Sequence, residues 1–324
     1  SYGPKHTMEK AQKDIEQKQM RFEFERKVLS DSLKMAEEKR VSDAKIEKEK
    51  TIKYSLVFFV ILLIVFSAFI FSRFKIIKSQ KKIIEEQKNK VDEKQKEILD
   101  SINYAKRIQS TILNNQVVMK DAFSDYFILF KPKDIVSGDF YWAHRKANYI
   151  YLAVCDSTGH GVPGAFMSLL NIGFLNEAIN DRGIEKPNEI FDFVRIKLIQ
   201  SVSKEEQKDG FDGILICINV KTREITYSAA NNKPVLISDN LIIENSVDKM
   251  PVGKGERMEP FKLHTLNAKP GDLLYLYTDG YADQFGGPKG KKFKYRPLNE
   301  LLLHNAHLPL SEQHTILSNN FIEW

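Results

Sequence analysis

Residues 54–72 read YSLVFFVILLIVFSAFIFS, a run of 19 residues with no charged side chain. A helix needs about 20 apolar residues to cross a bilayer core. The competing reading is a buried core helix, but such a helix ordinarily keeps a polar stripe, and this run has none. A cleavable signal peptide is disfavoured because about fifty charge-rich residues precede the run. Lys53 stands at one border and Arg73 and Lys75 at the other. The segment is therefore expected to anchor the chain in a membrane as a single span.

The span also sorts the charge. The chain holds 49 Lys and Arg against 43 Asp and Glu, a net charge of +6. Residues 1–53 contain 14 basic and 11 acidic residues, residues 73–115 contain 11 and 6, and residues 116–324 contain 24 and 26. The positive excess thus flanks the membrane, where bases act as topology and headgroup signals, and nucleic-acid binding is not expected. Bases are dense on both sides of the span, so counting them does not orient it. Two cysteines, Cys155 and Cys217, are too few for a disulfide scaffold or a four-cysteine zinc site.

Residues 8–53 lack Gly and Pro and alternate charges densely, as suits a solvated helix. After the span, Ile77, Ile84, Val91, Ile98, Ala105 and Ile112 recur every seven residues. The accompanying positions are polar up to Asp100 and more apolar beyond it. This spacing predicts a coiled coil over residues 73–115 and a homodimer through residues 77–112, with a single solvated helix as the alternative. A change in helix packing near Ile98–Ile112 would be placed to influence the domain C-terminal to it.

Residues 116–324 read as a mixed α and β domain. Strand-like runs cover Tyr149–Cys155, Gly213–Val220, Glu224–Ser228, Val235–Ser238, Leu241–Ile243 and Asp272–Thr278. Helices are expected at Ala165–Asn180, Pro187–Val202 and Pro297–Ala306. Asp139, Asp156 and Asp279 sit beside glycines or at strand ends. Carboxylates on adjacent strand ends repel one another unless a cation neutralises them, and an all-oxygen site selects a hard ion such as Mg²⁺ or Mn²⁺. Each Asp-Gly pair taken alone is equally a turn.

The segments KPKDIVSGDFYW, DSTGHGVPGAFMS and YTDGYADQFGG together resemble the PPM (type 2C) serine/threonine protein phosphatases, and more closely their SpoIIE-type branch in membrane-anchored, Bacteroidetes-like forms. The stretch EKQKEILDSINYAKRIQSTIL resembles the linker that precedes that domain. The resemblance implies an α+β fold, an α-β-β-α sandwich of two antiparallel sheets, here preceded by a transmembrane helix and coiled-coil helices. It divides the chain into a charged helical segment (1–53), a transmembrane helix (54–72), a coiled-coil linker (73–115) and a phosphatase domain (116–324). It places the catalytic domain on the cytoplasmic side of the inner membrane.

The resemblance also implies roles. Asp156 bridges two Mn²⁺ or Mg²⁺ ions, the Ser157 carbonyl contacts one, Asp279 binds the second, and Asp139 holds metal-bound water. A metal-bound hydroxide then attacks phosphoserine or phosphothreonine on a regulatory protein, such as an anti-anti-sigma STAS domain. His160 is a candidate acid for the leaving serine oxygen, or else orders its loop. Lys131 and Lys133 are candidate phosphate contacts or simply solvated. Asp209 and Asp212 are candidates for a third ion or ordinary turns. The family pattern usually closes with a further strand carrying an Asp-Asp pair that completes the second metal site. Trp324 is reached before any such strand, so truncation at the C-terminus and weak second-metal binding are expected. Cys155 lacks the downstream Arg of a cysteine-phosphatase loop and, like Cys217, reads as a core residue. The alternatives are a non-enzymatic signalling adaptor with a degenerate phosphatase domain and a purely structural membrane-tethered coiled coil; the latter leaves the three motif clusters unexplained.

Overall fold

A computed structural model describes residues 5–113, 116–202, 209–288 and 290–324. Contacts divide the chain into two units, Ser1–Asp92 and Glu93–Trp324. Helix α1 (Lys5–Leu113) supplies all of the described part of the first unit and opens the second. It runs without interruption through the three segments distinguished in the sequence; residues 1–4 and 114–115 at their outer ends lie outside the described residues. Every side chain from 8 to 92 is exposed, including the whole apolar run at 54–72.

The second unit continues with α2 (Gln116–Ala122), then strands β1 (Asp139–Lys146) and β2 (Tyr149–Ser157). Helix α3 (Gly161–Asn176) comes after them, extended by one wide π-turn at Glu177–Asp181, and then α4 (Pro187–Ser201). Next come β3 (Gly210–Asn219), β4 (Ile225–Ala230), β5 (Val235–Ser238), β6 (Leu241–Ile243), β7 (Val252–Gly253), β8 (His264–Leu266) and β9 (Leu273–Tyr275). The chain ends with the short α5 (Gly280–Asp283), β10 (Phe285–Gly286), β11 (Lys291–Lys292), α6 (Tyr295–Asn305) and α7 (Leu310–Glu323).

Two main antiparallel sheets form. One has the order β1-β2-β3-β4-β8 with β7 beside β3, the other β6-β5-β9, and β10 and β11 make a separate hairpin. Side chains alternate faces along a strand, and that parity builds three cores. Tyr151, Ala153, Cys155, Leu215 and Cys217 point to one side of the larger sheet, where they meet Leu175, Phe191, Val194 and Leu198 of α3 and α4. Leu152, Ile214 and Ile216 point to the other side and meet Leu236 and Leu274 of the smaller sheet. Val235, Ile237 and Tyr275 face away from that interface onto Leu298, Leu302 and Leu317 of α6 and α7. The layers are therefore helix, sheet, sheet, helix, the expected sandwich. Each fully buried Leu, Ile or Phe contributes about 1.5–3 kcal/mol to holding them together.

The expected hairpins at 213–228 and 235–243 form with shifts of a few residues at most. Strand β1, helix α7 and the short elements α2, β7, β8, α5, β10 and β11 were not anticipated. Strand β1 lies under the motif residues Asp139–Trp142 and their neighbours. Helix α7 buries Gln313 and Leu317 with few other apolar positions, too narrow a stripe to read from periodicity.

The last turns of α1 present one exposed and one buried face. Ile98, Ile108 and Ile112 stay exposed. Gln109 and Leu113 are buried instead, and Leu113 joins the core under α3 and α4. This face of the helix packs on its own catalytic unit.

Candidate active site

The sheet ladder brings the aspartates together. Asp139, the first residue of β1, is the direct partner of Asp156, the penultimate residue of β2. Asp156 is in turn the partner of Asp212 on β3. Asp156 shares strand parity with Leu152 and Val154, and Asp212 shares it with Ile214, so these carboxylates leave the sheet on its inner face. They line one end of the cleft between the two sheets. Asp279 arrives from the other side, on the loop between β9 and α5. It does not end the strand as the sequence suggested, because pairing stops at Tyr275. The Thr278 hydroxyl donates to Asp139 Oδ2 at 3.2 Å and ties that loop to the larger sheet.

The electrostatics reflect this crowding. Burial holds the Asp139 carboxyl above its usual value, opposed by hydrogen bonds with Asp156 and Thr278. Asp156 is raised much further, first by burial and then by the charges of Asp139 and Asp279. Asp212 is raised by burial, while a 2.8 Å hydrogen bond from Asn231 Nδ2 works in the opposite direction. Tyr295, at the start of α6, is pushed up to about 12 by burial and by Asp279, Asp283, Asp212 and Asp156. Its ring stacks on that of Tyr277, two residues before Asp279, with centroids 6.1 Å apart. The sequence offered no signal for Tyr295, and Asp212 was visible only as part of Asp-Gly-Phe-Asp-Gly.

The loop after Asp156 is held by close backbone packing. A Cβ on Gly138 would stand 2.5 Å from the Gly159 carbonyl oxygen and 3.0 Å from that of Ser157, and one on Gly164 would stand 2.4 Å from Gly159 O. Gly159 and Gly161 have φ of +93° and +60°, which L side chains rarely adopt. The Thr158 amide and hydroxyl both donate to Gly210 O, at 2.9 and 3.0 Å. Ser157 is buried, and its hydroxyl accepts from Asn171 Nδ2 at 3.0 Å.

The other candidates lie further out. The His160 ring is exposed and pairs through Nδ1 with Asp134 Oδ2 at 3.2 Å, on the loop before β1. Lys131 lies over the Phe321 ring, 5.8 Å from its centroid, and Lys133 is exposed. Cys155 and Cys217 are buried free thiols, both pushed upward by desolvation, Cys217 to about 11.

Asp139, Asp156 and Asp279 offer only carboxylate oxygens, and their mutual repulsion is what a hard divalent cation would relieve. The donor chemistry fits such an ion. Their arrangement is open: among the described residues no three His, Cys, Asp or Glu side chains form a ready ligand cage.

Four layers, with aspartates from two sheets meeting at one end of the central cleft, define the class of PPM-type phosphatase domains. The SiaA-PP2C domain of Pseudomonas aeruginosa superposes with a TM-score of 0.64 at 30% identity, covering 70% of this chain and 90% of that one. Residues 146–323 match the family model described as Stage II sporulation protein E (SpoIIE), and the chain belongs to that family. A curated relative, phosphoserine phosphatase RsbU of Bacillus subtilis (strain 168), is 23% identical over 192 residues, which cover 58% of this chain and 55% of the relative. The chain thus spans about half the length of that relative.

Proposed function

We propose that the protein is a membrane-anchored, divalent-cation-dependent phosphatase that removes phosphate from serine or threonine of a regulatory protein. The observation that carries this reading is the direct pairing of Asp139 with Asp156, with Asp279 brought to them from the second sheet. The activity of the RsbU relative, a phosphoserine phosphatase, supports the substrate class. A small regulatory domain of the STAS type is the proposed bearer of the phosphate.

Asp139, Asp156, Asp279 and the Ser157 carbonyl would hold two Mn²⁺ or Mg²⁺ ions. When bound, such ions supply the positive charge that polarises water and the phosphoryl oxygens. The chain's own groups do the rest. Thr278 orients the Asp139 carboxylate by its hydrogen bond. The glycine contacts at 138, 159 and 164 hold the backbone after Asp156 in one conformation. Tyr295 keeps its proton at neutral pH and is available to donate to an anionic phosphate. The pairing of His160 with Asp134 favours a loop-ordering role for that histidine over proton transfer.

Residues 54–72 would form the anchor. A run of 19 uncharged residues, apolar but for three serines and exposed around a whole helix, is costly in water, at about 25 cal/mol per Å² of apolar surface. A bilayer removes that cost. The catalytic unit is assigned to the cytoplasm, where phosphorylated regulators are made, and dimerisation to the heptad positions over 77–112.

Hydrolysis of a phosphoserine peptide by the full chain in detergent with Mn²⁺ tests the reading. Asp156→Ala and Asp279→Ala should each lower kcat/KM by about 10²–10³-fold, the scale of losing preorganised charge stabilisation. Full activity in both variants would overturn the assignment. The alternative is a non-enzymatic adaptor with a degenerate phosphatase domain, and Mn²⁺ calorimetry with no binding would select it.

A further inference from the structure

The β10–β11 hairpin stands beside the aspartate cluster. Asp279 precedes α5, and Phe285 of β10 follows just after that single helical turn. A stretch of chain this short reaches at most about 20 Å, and the helical turn within it shortens that. The returning strand is bonded back onto α5. The Lys292 ammonium pairs with Asp283 Oδ2 at 2.6 Å, the Phe293 N–H donates to Gln284 O at 3.0 Å, and the Lys294 N–H donates to Ala282 O at 2.6 Å. Tyr295 comes next, where the charges of Asp279 and Asp156 reach it. The hairpin is pinned on another side by Trp324. The Gly287 N–H donates to Trp324 O at 2.6 Å, Trp324 Nε1 donates to Lys291 O at 3.3 Å, and the Trp324 and Phe293 rings meet edge to face at 5.0 Å.

This fixed scaffold presents side chains that the core does not use. Phe285 is 71% exposed, with the Lys292 ammonium 5.8 Å from its ring centroid. Lys291 and Lys294 are exposed and form no ion pair among the described residues. Residues 291–296 read KKFKYR, rich in base, within a region, 116–324, that holds more acid than base overall. Lys294 also has φ 75° and ψ 157°, a region that glycine alone enters without strain. Lysines that serve only solubility need neither a strained backbone nor an exposed phenylalanine among them.

We propose that the β10–β11 hairpin and the turn into α6 dock the phosphorylated partner. Lys291 and Lys294 take acidic residues that lie within about six positions of the phosphorylated one, the span that the distance from Asp279 allows. Phe285 takes an apolar residue beside them. The sign of the surface selects the partner, because clustered bases attract an acidic segment and repel a basic one. This inference rests on the proposed phosphatase function and adds how that site selects its substrate.

The experiment uses the full chain in uncharged detergent with Mn²⁺. Its substrates are p-nitrophenyl phosphate and two phosphoserine peptides that differ only in carrying Glu or Gln about four to six positions from the phosphoserine. The wild type should show a lower KM for the Glu peptide, and salt should erase the difference. Lys291→Gln and Lys294→Gly should each raise that KM about threefold, the scale of one exposed ion pair, with kcat unchanged. The Gln peptide and p-nitrophenyl phosphate should respond to neither. Lys294→Gly should also keep or raise the thermal midpoint, because glycine relieves the strain. Phe285→Ala should raise KM for both peptides and leave p-nitrophenyl phosphate unchanged. Equal KM for the two peptides in the wild type, or the same change with all three substrates in the lysine variants, would overturn the proposal. So would a lysine effect seen only in nanodiscs of anionic lipid, since the hairpin would then contact the membrane. A wild type that hydrolyses none of the three substrates refutes the proposed function instead. Fluorescence anisotropy of the labelled Glu peptide then decides the docking by itself: Lys291→Glu should weaken binding, and unchanged binding overturns it.

Discussion

Asp139 and Asp156 stand opposite each other in the β1–β2 ladder, so two buried carboxylates leave one sheet face side by side. Their folded-state affinity for protons is raised above that of the unfolded chain, most of all at Asp156. The folded protein therefore binds more protons than the unfolded one, and without a cation its stability falls as pH rises. In chelator, the thermal midpoint should climb as pH is lowered from about 8 to about 6. Asp156→Asn should flatten that slope and abolish the rise in midpoint that Mn²⁺ gives the wild type. A wild-type midpoint that increases with pH in chelator contradicts the assignment of these carboxylates as the strained group.

Gly138→Ala tests the backbone contact behind the cluster. The added methyl would meet carbonyl oxygens of Gly159 and Ser157, neither of which can swing away as a side chain could. A destabilisation of about 1–3 kcal/mol in urea unfolding is expected, as for overpacking elsewhere. Activity should fall with it, since Asp139 is the next residue. A stable and fully active variant would show that the loop yields.

Thr278→Val removes the hydroxyl that reaches Asp139 and keeps the side-chain shape. Hydrogen bonds to charged groups are worth about 1.5–3 kcal/mol, so stability should drop by about that much at neutral pH. A loss confined to activity, with urea unfolding unchanged, would mean the bond forms only in the substrate-bound protein.

Cys155 and Cys217 should be inert in the folded state. Both are buried and both hold their protons tightly. A disulfide reagent at about pH 8 should label neither until guanidinium is added, because only the thiolate reacts. Fast labelling of one thiol in native protein would show that its strand opens.

Membrane attachment has its own test. The full chain should stay with the membrane fraction through alkaline carbonate washing. The double variant Leu62→Arg with Val65→Arg places two charges at the middle of the run, each costing about 2.5–3.5 kcal/mol at the centre of a span. It should release the chain to the soluble fraction. Release of the wild type would assign the run to another apolar partner.

Much of the site was legible because its motifs are local. Asp139, Asp156 and Asp279 each carry nearby glycines that mark tight backbone, and the structure brings all three together. The strands were legible for the same reason: the continuous apolar runs at 213–218 and 235–238 are a property of neighbouring residues. Tyr295 was not legible as a site member, and Asp212 was legible only as one of two candidates for a third ion or a turn. Their importance comes from register and from the packing of α6, which join residues far apart in the chain. Gln109 was not legible either, since its burial serves Ser137, 28 residues away.

By itself, then, the sequence determined an apolar run fit for a membrane, the helical character of its flanks, the positive charge beside it and three aspartates set beside glycines. Those are matters of composition and short-range spacing, settled within a few turns or one strand. The tertiary structure decided that Asp139, Asp156 and Asp212 line up across three strands, that Thr278 and Asp279 reach them from the second sheet, and that the end of α1 grips the backbone beside Asp139. The physical reason is that burial and hydrogen-bond pairing couple groups by distance in space, which no local pattern encodes.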